Sequence, residues 1–251
     1  MAKGTTWLVL GIGALILWAR RGRAALIPGT VDVRPVEDLP MGTTRWVGTR
    51  AQVEAGMHQA EADHEQDQGN AMGVLEHWGE LFGRFPSPMP PNLLAIVVAR
   101  ESGGSATAVS SDTALAEKGL MQLSRDEARA AGVADPFDAE DSVRGAQQLY
   151  RSAMVSFGEP DPESQLVIAL LSRSLGLGDT RRLRSTVPVG SETFANRLRA
   201  WLEDVAQGKP ATMMGRIDAQ MWARRVYRGI LRAETTMLLG WVAPGADLRV
   251  A

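Results

Sequence analysis

The residues whose types and spacing could do chemistry lie in one stretch, Val97–Ser124, which reads VVARESGGSATAVSSDTALAEKGLMQLS. Glu101 ends an apolar run, Leu93–Arg100, and Ser102, Gly103 and Gly104 follow it directly. A carboxyl group delivered to the C-terminal end of a buried helix meets apolar walls and the negative end of the helix dipole. Both disfavour ionisation, and a glutamate so placed keeps a proton near neutral pH and can act as a general acid. The two glycines let the chain turn sharply and leave room for a ligand. A second compact group, Gly119-Leu120-Met121-Gln122, follows about a turn and a loop later. An isolated Glu-Ser-Gly-Gly would read as a glutamate exposed at a helix end, so the context has to decide.

That context is helical. Apolar spacing predicts helices over about 92–100, 123–131, 139–157, 163–175 and 191–206, and no strand alternation of any length competes with them. Residues 50–84 have helical texture, with Val53, Met57, Met72, Leu75, Trp78 and Leu81 among charged neighbours. His58, His64 and His77, all on that segment, match no metal-ligand spacing and read as a solvated face. Phe85–Asn92, FPSPMPPN, breaks the helix and marks a domain boundary. Residues 213–242 read as a basic amphipathic helix, with Met221, Trp222, Val226, Ile230 and Leu231 on one face and Arg216, Arg224, Arg225, Arg228 and Arg232 on others. Such a helix lies on an anionic surface or partner, or packs on the protein's own core.

The chain of 251 residues has no cysteine, which excludes a disulfide scaffold and thiolate-bound metal. Its net charge of −2 hides an asymmetry: residues 1–27 carry four basic and no acidic side chains, residues 28–180 carry 11 and 23, and residues 181–251 carry 12 and 6. The basic ends meet something anionic, or the charges pair within the fold. Residues 4–19, GTTWLVLGIGALILWA, are uncharged and apolar. As a helix they rise about 24 Å, slightly short of the usual hydrocarbon thickness. Three arginines follow the run instead of preceding it, which argues for an uncleaved apolar helix over a signal peptide. Residues 28–49, with three prolines and three glycines, read as an extended linker.

The order ESGGSATAVS, KGLMQLS, EARAAGV and DPFDAEDSVRGAQQLYRSAMVSFG, closing with SETFANRLRAWLEDV, resembles the lysozyme-like soluble lytic transglycosylase family over roughly residues 88–205. The resemblance implies that Glu101 is the single acid and base. It implies that Ser102 supports Glu101, that Gln122 lines a sugar cleft, and that Gly119, Leu120 and Met121 shape the opposite wall. It implies cleavage of the MurNAc–GlcNAc bond of peptidoglycan without metal or cofactor. The C6 hydroxyl of the same MurNAc attacks C1, which leaves a 1,6-anhydro ring. The nucleophile is intramolecular, so no second carboxylate is required. Two departures from the family stand out. The loop between Ser110 and Gly119 is long and holds Asp112 and Glu117, either of which would serve as a second carboxylate in a hydrolase of the goose-type lysozyme kind. Where the family has Ala-Tyr-Asn-Ala-Gly this chain reads LLSRSLGLG, with Arg173 and Ser174 in place of tyrosine and asparagine.

The expected architecture is therefore mainly α: an apolar, transmembrane-like anchor helix with a basic flank (1–27), a linker and amphipathic helix (28–87), a lysozyme-like transglycosylase domain (88–206), and a basic C-terminal helix and tail (207–251). The expected function is peptidoglycan cleavage. Residues 4–19 would join a membrane or other virion subunits in an oligomeric assembly. The setting would be a phage particle that opens the host envelope, or alternatively a bacterial inner membrane facing the periplasm. The alternative function is a structural or assembly protein with a degenerate, glycan-binding lysozyme-like domain.

Overall fold

A computed structural model describes residues 45–46, 50–111, 116–207, 213–214 and 219–238. Among them lie eight helices: α1 (Arg50–Arg84), α2 (Pro91–Glu101), α3 (Arg125–Ala130), α4 (Ala139–Phe157), α5 (Pro162–Ser174), α6 (Leu177–Thr186), α7 (Phe194–Ala206) and α8 (Ala219–Leu238). A two-residue antiparallel pairing joins β1 (Arg45–Trp46) to β2 (Met213–Met214), with Arg45 opposite Met214 and Trp46 opposite Met213. Local chemistry sets the starts. Pro91 and Pro162 occupy first-turn positions where a missing N–H costs nothing. Asp138, Asp161 and Thr193 accept from the backbone N–H three residues on, and Gly158 ends α4 in the left-handed conformation.

Helix α2 forms the centre. Every residue from Leu93 to Ala99 is buried, so a run that is apolar all round is enclosed on all sides. Helix α1 packs on α2 and α8, and α5 packs on α4 and α8. One continuous apolar cluster includes Phe82 of α1, Leu94 of α2, Tyr150 of α4, Leu170 of α5, Leu198 of α7 and Ile230 of α8. The proline-rich turn ends α1 as its composition predicts, yet helices on both sides of it share this core. Gln147 fastens the turn, donating to the carbonyls of Phe85 (2.5 Å) and Met89 (2.7 Å) and accepting from the Met89 N–H (2.9 Å).

The charges of α8 are turned inward. Asp63 of α1 takes Arg224 through both nitrogens (2.6 and 2.9 Å), Arg228 at 3.3 Å and, from α2, Arg100 at 3.9 Å. One turn on, Arg232 donates to Asp67 at 2.8 Å. Of the two placements open to this helix, these contacts match packing on the protein's own core: Arg224, Arg228 and Arg232 close on α1. His64 is likewise buried, bonding Thr235 at 2.9 Å, while His58 and His77 are exposed. Its face of α1 therefore packs on α8 instead of meeting solvent. Helix α6 has no counterpart in the sequence reading, because only Thr180 and Leu183 of its ten residues are buried and its apolar signal is thin. Among the described residues no helix is long and apolar enough to cross a membrane. Residues 4–19, and with them the anchor, lie outside the described residues.

Candidate active site

Glu101 is the last residue of α2, and the chain behind it turns through Gly103 (φ 61°) and Gly104 (φ 86°), both left-handed. Ser102 caps the helix: its N–H and its hydroxyl donate to the Val98 carbonyl, at 3.0 and 3.3 Å. Its hydroxyl thus serves the helix end. Trp78 of α1 donates from Nε1 to the Gly104 carbonyl at 2.9 Å and holds the turn from outside. The Glu101 residue is exposed, which corrects the expected apolar enclosure. It opens on a cavity of about 430 Å³ whose lining includes Val97, Glu117, Tyr150, Leu170, Arg173 and Arg228.

The second motif folds as a tight loop. Lys118 and Leu123 exchange backbone hydrogen bonds at 3.1 and 2.9 Å, and Gly119 N–H donates to the Ala108 carbonyl at 2.9 Å. Gly119 sits at φ 78°, where an added Cβ would stand 1.6 Å from the Pro136 carbonyl oxygen, so only glycine fits. Leu120 and Met121 are fully buried. Gln122, at φ 48°, is also buried, and its side chain donates to the carbonyls of Ala108 (3.0 Å) and Gly119 (2.8 Å). Leu120, Met121 and Gln122 therefore hold the loop from within and do not line the cavity. In place of a glutamine facing the sugar, the structure has a buried glutamine whose amide satisfies two loop carbonyls.

Three residues that the sequence reading did not assign fix this loop to the body. Ser142 of α4 accepts from the Met121 N–H at 3.2 Å. Glu127 completes a capping box with Ser124, accepting from its N–H (2.9 Å) and hydroxyl (2.8 Å). Arg173, at the place of the family's tyrosine, pairs with Glu127 at 2.6 Å and donates to the carbonyls of Met121 (2.9 Å) and Gln122 (3.2 Å). Burial works against the Arg173 charge. Tyr150, Glu127, Glu101 and Glu117 around it outweigh that effect, and its pKa is raised. Tyr150 is buried in the same wall; burial, and then the Glu101 and Glu127 charges set against those of Arg173 and Arg232, raises its phenol pKa. Of the two further acids in the long loop, Glu117 is half-buried and lines the cavity with Glu101, and Asp112 lies outside the described residues.

Residues 87–188, which contain Glu101, the Gly119–Gln122 loop and Arg173, match the family described as the transglycosylase SLT domain. This segment is similar to an SLT domain. The membrane-bound lytic murein transglycosylase F of Yersinia pestis (strain Pestoides F) is 33% identical over 114 residues, 44% of this chain and 23% of that protein. The protein of the same name from Vibrio cholerae serotype O1 (strain O395) is 30% identical over 126 residues, 49% of this chain and 23% of that one. The chain thus spans about a quarter of the length of these relatives. Helices α1 and α8 lie outside the SLT match, yet Trp78 holds the Gly103–Gly104 turn and Arg225, Arg228, Gly229 and Arg232 complete the cavity wall.

Proposed function

We propose that the chain cleaves peptidoglycan glycan strands as a lytic transglycosylase, with Glu101 as acid and base. The observation that carries this reading is the placing of Glu101, within an SLT domain, at the rim of an open cavity walled by cationic and phenolic side chains. Glu101 protonates the glycosidic oxygen of a MurNAc–GlcNAc bond as the C1–O bond breaks. The resulting carboxylate then takes the proton of the MurNAc C6 hydroxyl while O6 bonds to C1, and 1,6-anhydroMurNAc is released. Arg173, Glu127 and Ser142 position the loop opposite. The relatives' printed name, membrane-bound and acting on murein, supports action at the cell envelope. Attachment through residues 4–19, to a membrane or to the subunits of a virion, is part of the proposal and rests on their composition.

A second reading rests on Glu117. A carboxylate on the same cavity would activate water, and the products would then carry reducing ends. Digestion of purified sacculi with the full chain, followed by mass spectrometry of the muropeptides, decides between them. Anhydro ends support the transglycosylase; reducing ends assign hydrolysis. An intact sacculus with bound protein would leave glycan binding as the function.

A further inference from the structure

One wall of the cavity comes from beyond the SLT domain. Arg225, Arg228 and Arg232 of α8 line it beside Glu101, whereas the family match ends at residue 188. The cations here outnumber their partners. Asp63 and Asp67 face Arg100, Arg224, Arg228 and Arg232, and with Arg225 these five guanidinium groups outnumber by one the four carboxylates of Asp63, Asp67, Glu101 and Glu117. Burial, then the charges of Arg232 and Arg100, brings the pKa of Arg228 down to about 10. Arg232 is 5% exposed, and its Nε has no hydrogen-bond partner. Arg225 donates to the Ser174 carbonyl at 2.7 Å and makes no ion pair among the described residues. Glu127 cannot serve them, since Arg173 holds it at 2.6 Å. An anionic group entering the cavity would relieve this repulsion and accept from donors already in place.

Resting on the peptidoglycan reading, we propose that Arg225, backed by Arg228 and Arg232, is a subsite for a carboxylate borne on the lactyl arm of MurNAc. The carboxylate is that of the lactyl group itself or those of an attached stem peptide. GlcNAc carries no such group. A glycan strand alternates the two sugars, so one carboxylate held at a fixed place sets the register and decides which sugar meets Glu101.

The test uses the full chain carrying Glu101→Gln, so that ligands are bound and not consumed. Calorimetry compares neutral GlcNAc oligosaccharides with MurNAc-containing oligosaccharides that carry a free lactyl group or a stem peptide. The E101Q parent binds the carboxylate-bearing ligands more tightly, and the preference shrinks with added salt. Adding Arg225→Gln weakens binding of carboxylate-bearing ligands about tenfold more than that of neutral ones, and Arg225→Lys restores part of the loss. A loss confined to free-lactyl or to peptide-bearing ligands supports the subsite and identifies its source. A parent that binds glycan without preference, or an Arg225→Gln loss equal for all ligands, overturns it. A parent that binds no glycan at all refutes the enzyme reading itself.

Discussion

Glu101→Gln keeps the size of the side chain and removes its ability to give and retrieve a proton. Because Glu101 is exposed, the variant keeps the wild-type melting temperature and loses at least about 10²-fold in glycan cleavage. Undiminished turnover would refute its role as acid and base. Gly119→Ala works through the backbone. A methyl 1.6 Å from the Pro136 oxygen at a left-handed φ forces the loop open, so both stability and cleavage fall, stability by more than about 2 kcal/mol. Arg173→Met removes the cation paired with Glu127 and the donor to two loop carbonyls. We expect roughly 3 kcal/mol lost in chemical unfolding, together with slower cleavage. Cleavage equal to wild type would show that the loop needs no such clamp.

At the scale of elements, the junction of α1 and α8 is held by buried charge and close approach. Removing one partner leaves the other charged and buried, so Asp67→Ala, beside an Arg232 side chain 7% exposed, costs about 3–5 kcal/mol. The Arg84–Glu140 pair, with both side chains more than half exposed, is worth under about 1 kcal/mol. Thermal unfolding of Asp67→Ala and Glu140→Ala side by side checks this contrast, and equal effects would contradict it. At Gly56 the two helices nearly touch: an added Cβ would lie 2.3 Å from the Gln220 carbonyl oxygen. Gly56→Leu therefore separates α8 from α1, and because α8 carries a cavity wall, glycan affinity falls along with stability.

For the whole molecule, acid weakens the fold in two stages. Burial, then the charges of Arg232 and Arg228, lowers the pKa of His64 from 6.5 to about 4, so the folded protein keeps it neutral. The unfolded chain binds that proton first, and stability therefore falls as pH drops from about 6.5 towards 4. Between pH 7.5 and pH 5 the loss from this one group is roughly 2 kcal/mol. Asp63 contributes below that range. Burial opposes its charge, but the Arg224 hydrogen bond and the charges of Arg100 and Arg224 hold its pKa below 3.8, and its contribution is lost as it protonates. Guanidinium unfolding at the two pH values checks the first stage, and His64→Leu should flatten it. An equal pH dependence in wild type and variant would contradict the assignment.

The sequence by itself determined the local elements and the place of Glu101 among them. The apolar pattern fixes α2, α4, α5 and α7 to within a few residues, as a 3.6-residue spacing in α4 and α7 and as an unbroken apolar run in α2 and α5, because both are properties of neighbours along the chain. The same holds for Glu101 at the end of a fully apolar run and for the Gly-Leu-Met-Gln loop within the segment that matches the SLT family. Helix α6 escaped because it buries too little to leave a pattern. Only the tertiary structure decided the roles of Gln122, Arg173 and the α8 arginines. Each depends on partners 14 to 165 residues away: Ala108 for Gln122, Glu127 and Met121 for Arg173, Asp63 and Asp67 for Arg228 and Arg232. A charged side chain reads the same in sequence whether it faces water, an external surface or a buried carboxylate. Folding chose the carboxylate here, because α1 and α8 bury their apolar faces against the same core and carry their charges in with them.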